Sequence, residues 1–334
     1  VASWKDDVLF LGMGRDGVSH YRTYLPATRG GFDWATQDTD GTMIQEHVSH
    51  KEHGHIVYQM PFHPFQIQQM LAMQDHGATV ILNLDDDLRA VRNMKHEHGL
   101  SHHFHKKLVQ LHEAAVKAAD HLIVSTDWLA ERYRHPSTFV CRNGLDLPRY
   151  EQKAVESPFD LTIGWSGGTG HEMSVREIAP AISEFIRETD GAGLFIVGEP
   201  RVGDLFDLPK DKMAFKMFMD LHLYPSYVKA FDIGLAPAAD HDFFRAKSEL
   251  RFYEYGAAGV AGIYSPITYG TEAAELGMDM AQTGDEVLEC LHKLSDKEYR
   301  DGQAARAREY VAEYVDMEVR VGEWEEAIRT VVSP

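Results

Sequence analysis

The chain has 334 residues, beyond the ~250–300 at which a single hydrophobic core stops growing, so two domains are expected. Hydrophobic residues at 44% and charged residues at 25% exclude a disordered, collagen-like or disulfide-stapled chain. Thirty-three basic against 52 acidic residues give a net charge of −19, which opposes non-specific adhesion to nucleic acid or an anionic membrane. That charge leaves room for a local basic cleft. Cys141 and Cys290, far apart in sequence, suggest a reducing compartment. No stretch reaches ~18 apolar residues. Val1 to Asp7 lacks a basic region followed by an apolar one. A cytoplasmic enzyme is therefore expected.

Val8-Leu9-Phe10-Leu11 reads as a buried first strand ending in glycine. Gly12-Met13-Gly14-Arg15-Asp16-Gly17 follows and fits G-x-G-x-x-G. Such a loop lets backbone approach a ligand and aims a helix N-terminus at an anion. The remainder of a dinucleotide fingerprint needs a second strand ending in an acidic residue about 20 residues on. Phe32 to Asp38 reads as a weak strand there. A tight turn without ligand and a dinucleotide site, as in an NAD(P)-dependent oxidoreductase, both stay open.

His55–Met60 and Thr79–Leu84 are further strands, with a helix over Phe65–His76 between them. A helix over Lys106–Ala119 and a strand over His121–Val124 follow. This alternation argues for a parallel α/β sheet. Asp85-Asp86-Asp87 after the strand Thr79–Leu84 contains D-x-D. It reads as a divalent-metal site, as acceptor binding or acid/base help, or as a helix N-cap with a solvated edge. Fifteen of the 19 histidines precede position 151. His96-Glu97-His98 and His102-His103-Phe104-His105 have zinc-binding residue types but lack cysteines and i, i+4 pairing. A polar acceptor region is the favoured reading.

Arg142 to Pro148 is a turn and Arg149 to Pro158 a linker. The alternation then restarts: strand Leu161–Trp165, loop Ser166-Gly167-Gly168-Thr169-Gly170-His171, and helix Val175–Glu188. Strands Leu194–Gly198 and Phe231–Pro237, a helix over Ser248–Ala258 and a strand over Val260–Tyr264 follow. The tail Asp296–Val332 is helical with a break near Tyr314–Met317. Ser166 and Thr169 add hydroxyls to a ring of backbone N–H donors suited to a diphosphate. Lys247 and Glu254 are seven apart, so on one helix they share a face. Lys247 with the helix end would bind a phosphate and Glu254 a ribose diol; a solvated Lys–Glu surface pair is the other reading.

The second half, through Ile163-Gly164-Trp165-Ser166-Gly167 with His171, Phe231 to Pro237, Lys247-Ser248, and Glu254-Tyr255-Gly256 with Gly259, resembles the donor domain of GT-B glycosyltransferases of the family 4 type. The first half resembles that family through Gly14 to Gly17 with Tyr21-Arg22 and Pro26, Leu84 to Leu88, Ala119-Asp120 with Ser125-Thr126 and Leu129, and Asn143 to Asp146. The resemblance implies two Rossmann-like α/β domains facing a central cleft: an acceptor domain over 1–150 and a donor domain over 159–313. A C-terminal helix over 314–334 crosses back to the first, with Trp324 and Ile328 on its buried face.

It also implies transfer of a sugar from a nucleoside-diphosphate sugar to an acceptor hydroxyl, with retention and without a cofactor or essential metal. The acceptor stays open among a glycan, a lipid-linked or small molecule, a protein and modified DNA. Ser166, Gly167, Gly168, His171, Gly198, Ser248 and Glu254 would bind the donor. Lys247, Arg201 and Asp242 would serve catalysis, the cations on the leaving diphosphate. Gly14, Gly17, Tyr21, Arg22 and Asp86 would face the acceptor. The family's first glutamate, eight residues before Glu254, falls at Ala246, and Asp240, Asp242 or a loop amide stands in for it.

Overall fold

A computed structural model describes the chain except residues 1–2, 15, 39, 50–51, 61–62, 94–101, 218–219 and 333–334, and without side chains at 92–93, 102–105 and 169. His96-Glu97-His98 and the side chains of His102, His103 and His105 thus lie outside what it describes. The chain forms two compact units. The first comprises Val1–Leu145, His241–Ser248 and Met317–Pro334; the second comprises Asp146–Asp240 and Glu249–Asp316.

The first unit carries strands β1 (Val8–Met13), β2 (Asp33–Gln37), β3 (Met43–His47), β4 (His55–Gln59), β5 (Thr79–Leu84), β6 (His121–Val124) and β7 (Thr138–Val140). They lie in the order β3-β2-β1-β4-β5-β6-β7, parallel except for β3, which runs antiparallel to β2 at the edge. The central strands are near-continuous apolar runs because helices cover both faces of such a sheet. Leu11, Tyr58, Leu82, Leu122 and Val124 form one face of its core. The Phe32–Asp38 segment, a weak strand in sequence, is a full partner of β1, in register from Leu9↔Asp33 to Met13↔Gln37. The sheet supplies the pairing that local propensity underrated.

The closing helix Met317–Val332 belongs to this unit. Its Trp324 and Ile328 are fully buried, with Trp324 5.9 Å from the Phe10 ring. The expected break in the tail falls between helices Lys297–Tyr314 and Met317–Val332.

The second unit carries β8 (Leu161–Gly167), β9 (Ala192–Gly198), β10 (Met213–Met217), β11 (Ile233–Ala236), β12 (Ala261–Tyr264) and β13 (Asp279–Met280). Their order is β10-β9-β8-β11-β12-β13, all parallel. Helix Glu172–Glu188 buries Val175, Ile178, Ile182, Phe185 and Ile186 against this sheet, as its apolar spacing requires. Ligands of open α/β sheets bind outside the carboxyl ends of the strands, beside the point where strand order reverses. In the two sheets those ends belong to β1 and β4, and to β8 and β11.

Candidate functional site

In the second unit, β8 ends at Gly167 beside the end of β9 at Gly198. Gly198 has φ +127°, and a Cβ there would stand 2.2 Å from the Gly167 carbonyl oxygen. A Cβ on Gly167 would meet the Trp165 ring at 2.8 Å. Glycine at 198 is thus a steric demand of the close approach of the strand ends, and glycine at 167 one of the Trp165 ring on its own strand. From Gly168 the chain turns through Thr169–His171 into helix Glu172–Glu188.

Ser166 lies at the same strand end and is 2% exposed. Its Oγ is 2.9 Å from the Tyr224 hydroxyl and accepts from Arg251 Nη1 at 2.7 Å. Arg251 also donates to the Ser166 carbonyl oxygen. Tyr224 in turn donates to Glu254 Oε2 at 3.0 Å, and Arg251 Nε stands 3.3 Å from the same oxygen. Since the phenol proton goes to Glu254, the Ser166 hydroxyl donates to Tyr224, and the bonds polarise one another in sequence. Burial and the Glu254 charge push the Tyr224 hydroxyl well above its ordinary pKa, so it stays a donor.

Arg251 and Tyr224 are absent from the motifs above. Arg251 had a local signal, its i, i+3 spacing to Glu254 on helix Leu250–Ala258. Tyr224, 30 residues upstream of Glu254, had none. Arg201 stands on the turn after β9, its side chain 56% exposed. It forms a two-pronged pair with Glu199 at 2.9 and 3.1 Å, which raises its pKa further. His171 donates its backbone N–H to the Gly168 carbonyl oxygen at 3.2 Å.

The first glycine loop follows β1. Gly14 has φ +74° and donates to the Gln37 carbonyl oxygen at 2.8 Å. Gln59 Oε1 accepts from Met13 N, Ser19 Oγ and Thr23 Oγ1 at 2.9–3.1 Å and pins the loop. Gly12 is demanded by Thr23, whose Oγ1 would stand 2.8 Å from a Cβ; beside Gly14 and Gly17 there is open space. The Asp16 carboxylate accepts from Ser19 N at 2.8 Å, so the helix N-terminus already holds an anion. Asp38, the acidic residue after the second strand, caps its own turn by accepting from Asp40 N and Thr42 N, both at 3.1 Å.

Arg22 does not present its guanidinium to a ligand. It is 1% exposed and donates to Asn83 Oδ1 at 2.6 and 3.0 Å, the Cys141 carbonyl oxygen at 2.6 Å and Asn143 Oδ1 at 3.0 Å. It also stacks 4.5 Å over Trp324, and burial lowers its pKa to about 10. Its place is that of an internal tie rather than an acceptor ligand. Tyr21 is 5% exposed, edge-on to His20 at 5.0 Å.

The three aspartates after β5 divide their work. Asp87 is fully buried and pairs with Arg89 at 2.8 Å and Arg132 at 3.1 Å. Burial alone would raise its pKa, but the bonds and charges from these arginines hold it below the ordinary value. Asp86 takes Lys247 at 2.7 Å. Asp85 has a shielded Oδ1 with no hydrogen-bond partner. Burial and the Asp86 charge push its pKa up to about 7.

Lys247 belongs to the first unit and lies outside the helix, which starts at Leu250. This corrects the shared face inferred for Lys247 and Glu254: the helical rise and turn do not apply across residues 247–249. The whole segment His241–Ser248 is fastened within the first unit. Asp242 pairs with Arg132 at 3.3 Å, and the Ala246 carbonyl oxygen accepts from Thr126 Oγ1 at 3.3 Å. Ser248 Oγ accepts from Asn143 Nδ2 at 2.9 Å. Ala246 is fully buried in the first unit's core, where a glutamate would be an unpaired buried charge. Asp240, the other stand-in considered, belongs to the second unit.

No protein-family model and no curated protein sequence matches the chain. Solved structures do. Sucrose-phosphate synthase from Thermosynechococcus elongatus is similar at TM-score 0.70 and 11% identity, over 97% of this chain and 98% of that one. HepE of Anabaena, in complex with UDP-glucose, is similar at TM-score 0.69 and 12% identity, over 98% and 99%. A glycosyltransferase from Rickettsia africae is similar at TM-score 0.63 and 11% identity, over 98% of each chain. These likenesses show the fold: the chain has two parallel-sheet α/β units of the GT-B type.

Proposed function

We propose that the chain is a glycosyltransferase that moves a sugar from a nucleoside-diphosphate sugar to an acceptor hydroxyl. The second unit binds the donor nucleotide, and the first takes the acceptor. The observation that carries this reading is the bonded set Ser166–Tyr224–Glu254–Arg251 at the end of β8. It joins a glycine turn, rich in backbone donors, to a buried carboxylate. A diphosphate suits the first and a vicinal diol the second. Similar chains carry UDP-glucose, in HepE, and UDP, in MnaA of S. aureus.

In this reading Gly167, Gly168 and His171 cradle the diphosphate and Glu254 accepts from the ribose hydroxyls. Arg201, exposed on its turn, meets the charge that grows on the leaving diphosphate as the glycosidic bond breaks. Of the two D-x-D aspartates, Asp87 already has cationic partners in Arg89 and Arg132, and Asp85 is buried with its pKa pushed up to about 7, which favours a structural role for D-x-D over a metal-binding one. We therefore read the transfer as metal-independent and, by the family resemblance, as retaining.

The test is thermal unfolding of the full chain with uridine, guanosine, adenosine or cytidine diphosphate, without added metal. One of them raises the melting temperature, and Glu254→Ala abolishes the rise. No shift with any of the four sinks the donor assignment. Product analysis with a panel of labelled sugar nucleotides then reads the anomeric configuration.

A further inference from the structure

Glu254 is the carboxylate on which ribose binding would rest, but a carboxylate on a helix is free to rotate about its terminal torsion. Two groups remove that freedom. Arg251, one turn earlier on the same helix, approaches Oε2 from one side at 3.3 Å. Tyr224, on the separate short helix Tyr224–Val228, donates to the same oxygen at 3.0 Å. Tyr224 is itself fixed by the Ser166 hydroxyl at 2.9 Å, and Ser166 is bonded to Arg251 at 2.7 Å. The four side chains close a ring around one carboxylate oxygen. Tyr224 is the only member of the ring that touches both the end of β8 and the Glu254 carboxylate without belonging to either element.

We propose that Tyr224 is a positioning residue for ribose recognition: its hydroxyl, held by Ser166, fixes the Glu254 carboxylate for the vicinal hydroxyls of the nucleoside. The inference rests on the donor reading above. It goes further by assigning ribose-over-deoxyribose discrimination to a residue outside the glycine and Lys–Glu motifs. A diol shared with an oriented carboxylate gives a charge-assisted contact in which a missing hydroxyl is felt. A carboxylate that swings accepts one hydroxyl nearly as well as two.

The experiment is calorimetric titration of the full chain with the nucleoside diphosphate that stabilises it and with its 2′-deoxy counterpart. The wild type should prefer the ribonucleotide by about tenfold, the factor for one hydrogen bond to a charged group. Tyr224→Phe, which keeps the ring, should weaken the ribonucleotide about tenfold and leave the deoxynucleotide within about twofold. The ratio then falls towards one. A purely structural role would weaken both ligands alike and keep the ratio, which overturns the proposal. Site-specific replacement of Tyr224 by 4-aminophenylalanine restores a donor on the same ring and should restore the ratio. It also serves if Tyr224→Phe does not fold, and a lost ratio in that folded protein overturns the proposal. Wild-type binding without ribose preference overturns the proposal but leaves the donor reading standing. Absence of any nucleotide binding by the wild type overturns both.

Discussion

Gly198→Ala tests whether the ends of β8 and β9 are held by steric necessity. The new Cβ would stand 2.2 Å from the Gly167 carbonyl oxygen and 3.1 Å from its carbon, both backbone atoms that no rotamer change can move aside. The residue also sits at φ +127°, where a side chain costs ~1–3 kcal/mol. Forcing extra volume into a packed site adds ~1–3 kcal/mol. Together the loss is about 4 kcal/mol, or about 10 °C at ~2–4 °C per kcal/mol for a unit of this size. Thermal unfolding followed by circular dichroism measures it. A second readout is the nucleoside-diphosphate shift in the same scan. Moving Gly198 away from Gly167 would move the proposed donor cradle, so the shift should be smaller than in wild type. A variant that unfolds within about 1 °C of wild type refutes the steric reasoning. One that loses stability but keeps the full nucleotide shift separates the glycine pair from the binding site.

Ala246→Glu, which puts a glutamate eight residues before Glu254, should destabilise the first unit by about 4 kcal/mol or more, because it buries a carboxylate among apolar side chains; urea unfolding reads this, and a neutral effect would mean that the site opens to solvent. Arg22→Met should cost about 3–5 kcal/mol in the same assay, since the Asn83, Asn143 and Cys141 oxygens lose their donor together at ~1–3 kcal/mol each. The Asp85 pKa rises on folding from 3.8 to about 7, so its contribution is fully present below pH 4 and is lost as pH rises through 7. His112, lowered on folding from 6.5 to about 4, runs the opposite way and gains stability over that window. Asp85→Asn should therefore leave the His112 slope exposed, with urea midpoints that climb more steeply from pH 4 to 7 than in wild type. Parallel pH profiles for the two proteins would contradict the shift.

The alternation of strands and helices was legible because buried parallel strands leave unbroken apolar runs such as Thr79–Leu84. Edge strands were not. Met43–His47 is mostly exposed and antiparallel, and Met213–Met217 carries Phe215 and Met217 towards solvent, so neither shows an apolar run or a clean alternation. At the candidate site, Ser166, Gly167, Gly198 and Glu254 could be placed from motif and order alone. Their partners could not. Tyr224 reaches Glu254 through the fold, and Arg22, an acceptor ligand by resemblance, is enclosed by Asn83, Cys141 and Asn143, which no local pattern marks. Lys247 shows the limit of spacing arguments: seven residues mean two turns only if the helix has already begun.

The allocation of His241–Ser248 and Met317–Pro334 to the first unit has a consequence for biosynthesis. The chain passes from one unit to the other after Leu145, Asp240, Ser248 and Asp316. Translation from the N-terminus thus supplies the last residue of the second unit, Asp316, before the helix that carries Trp324 and Ile328 to the first. In sequence the second unit is complete while the first still lacks Met317–Pro334. Without that helix, the Phe10 ring and the Arg22 guanidinium of the first unit lack the cover of Trp324. A chain truncated after Asp316 and released from the ribosome should bind nucleotide in the second unit while the first stays sensitive to protease.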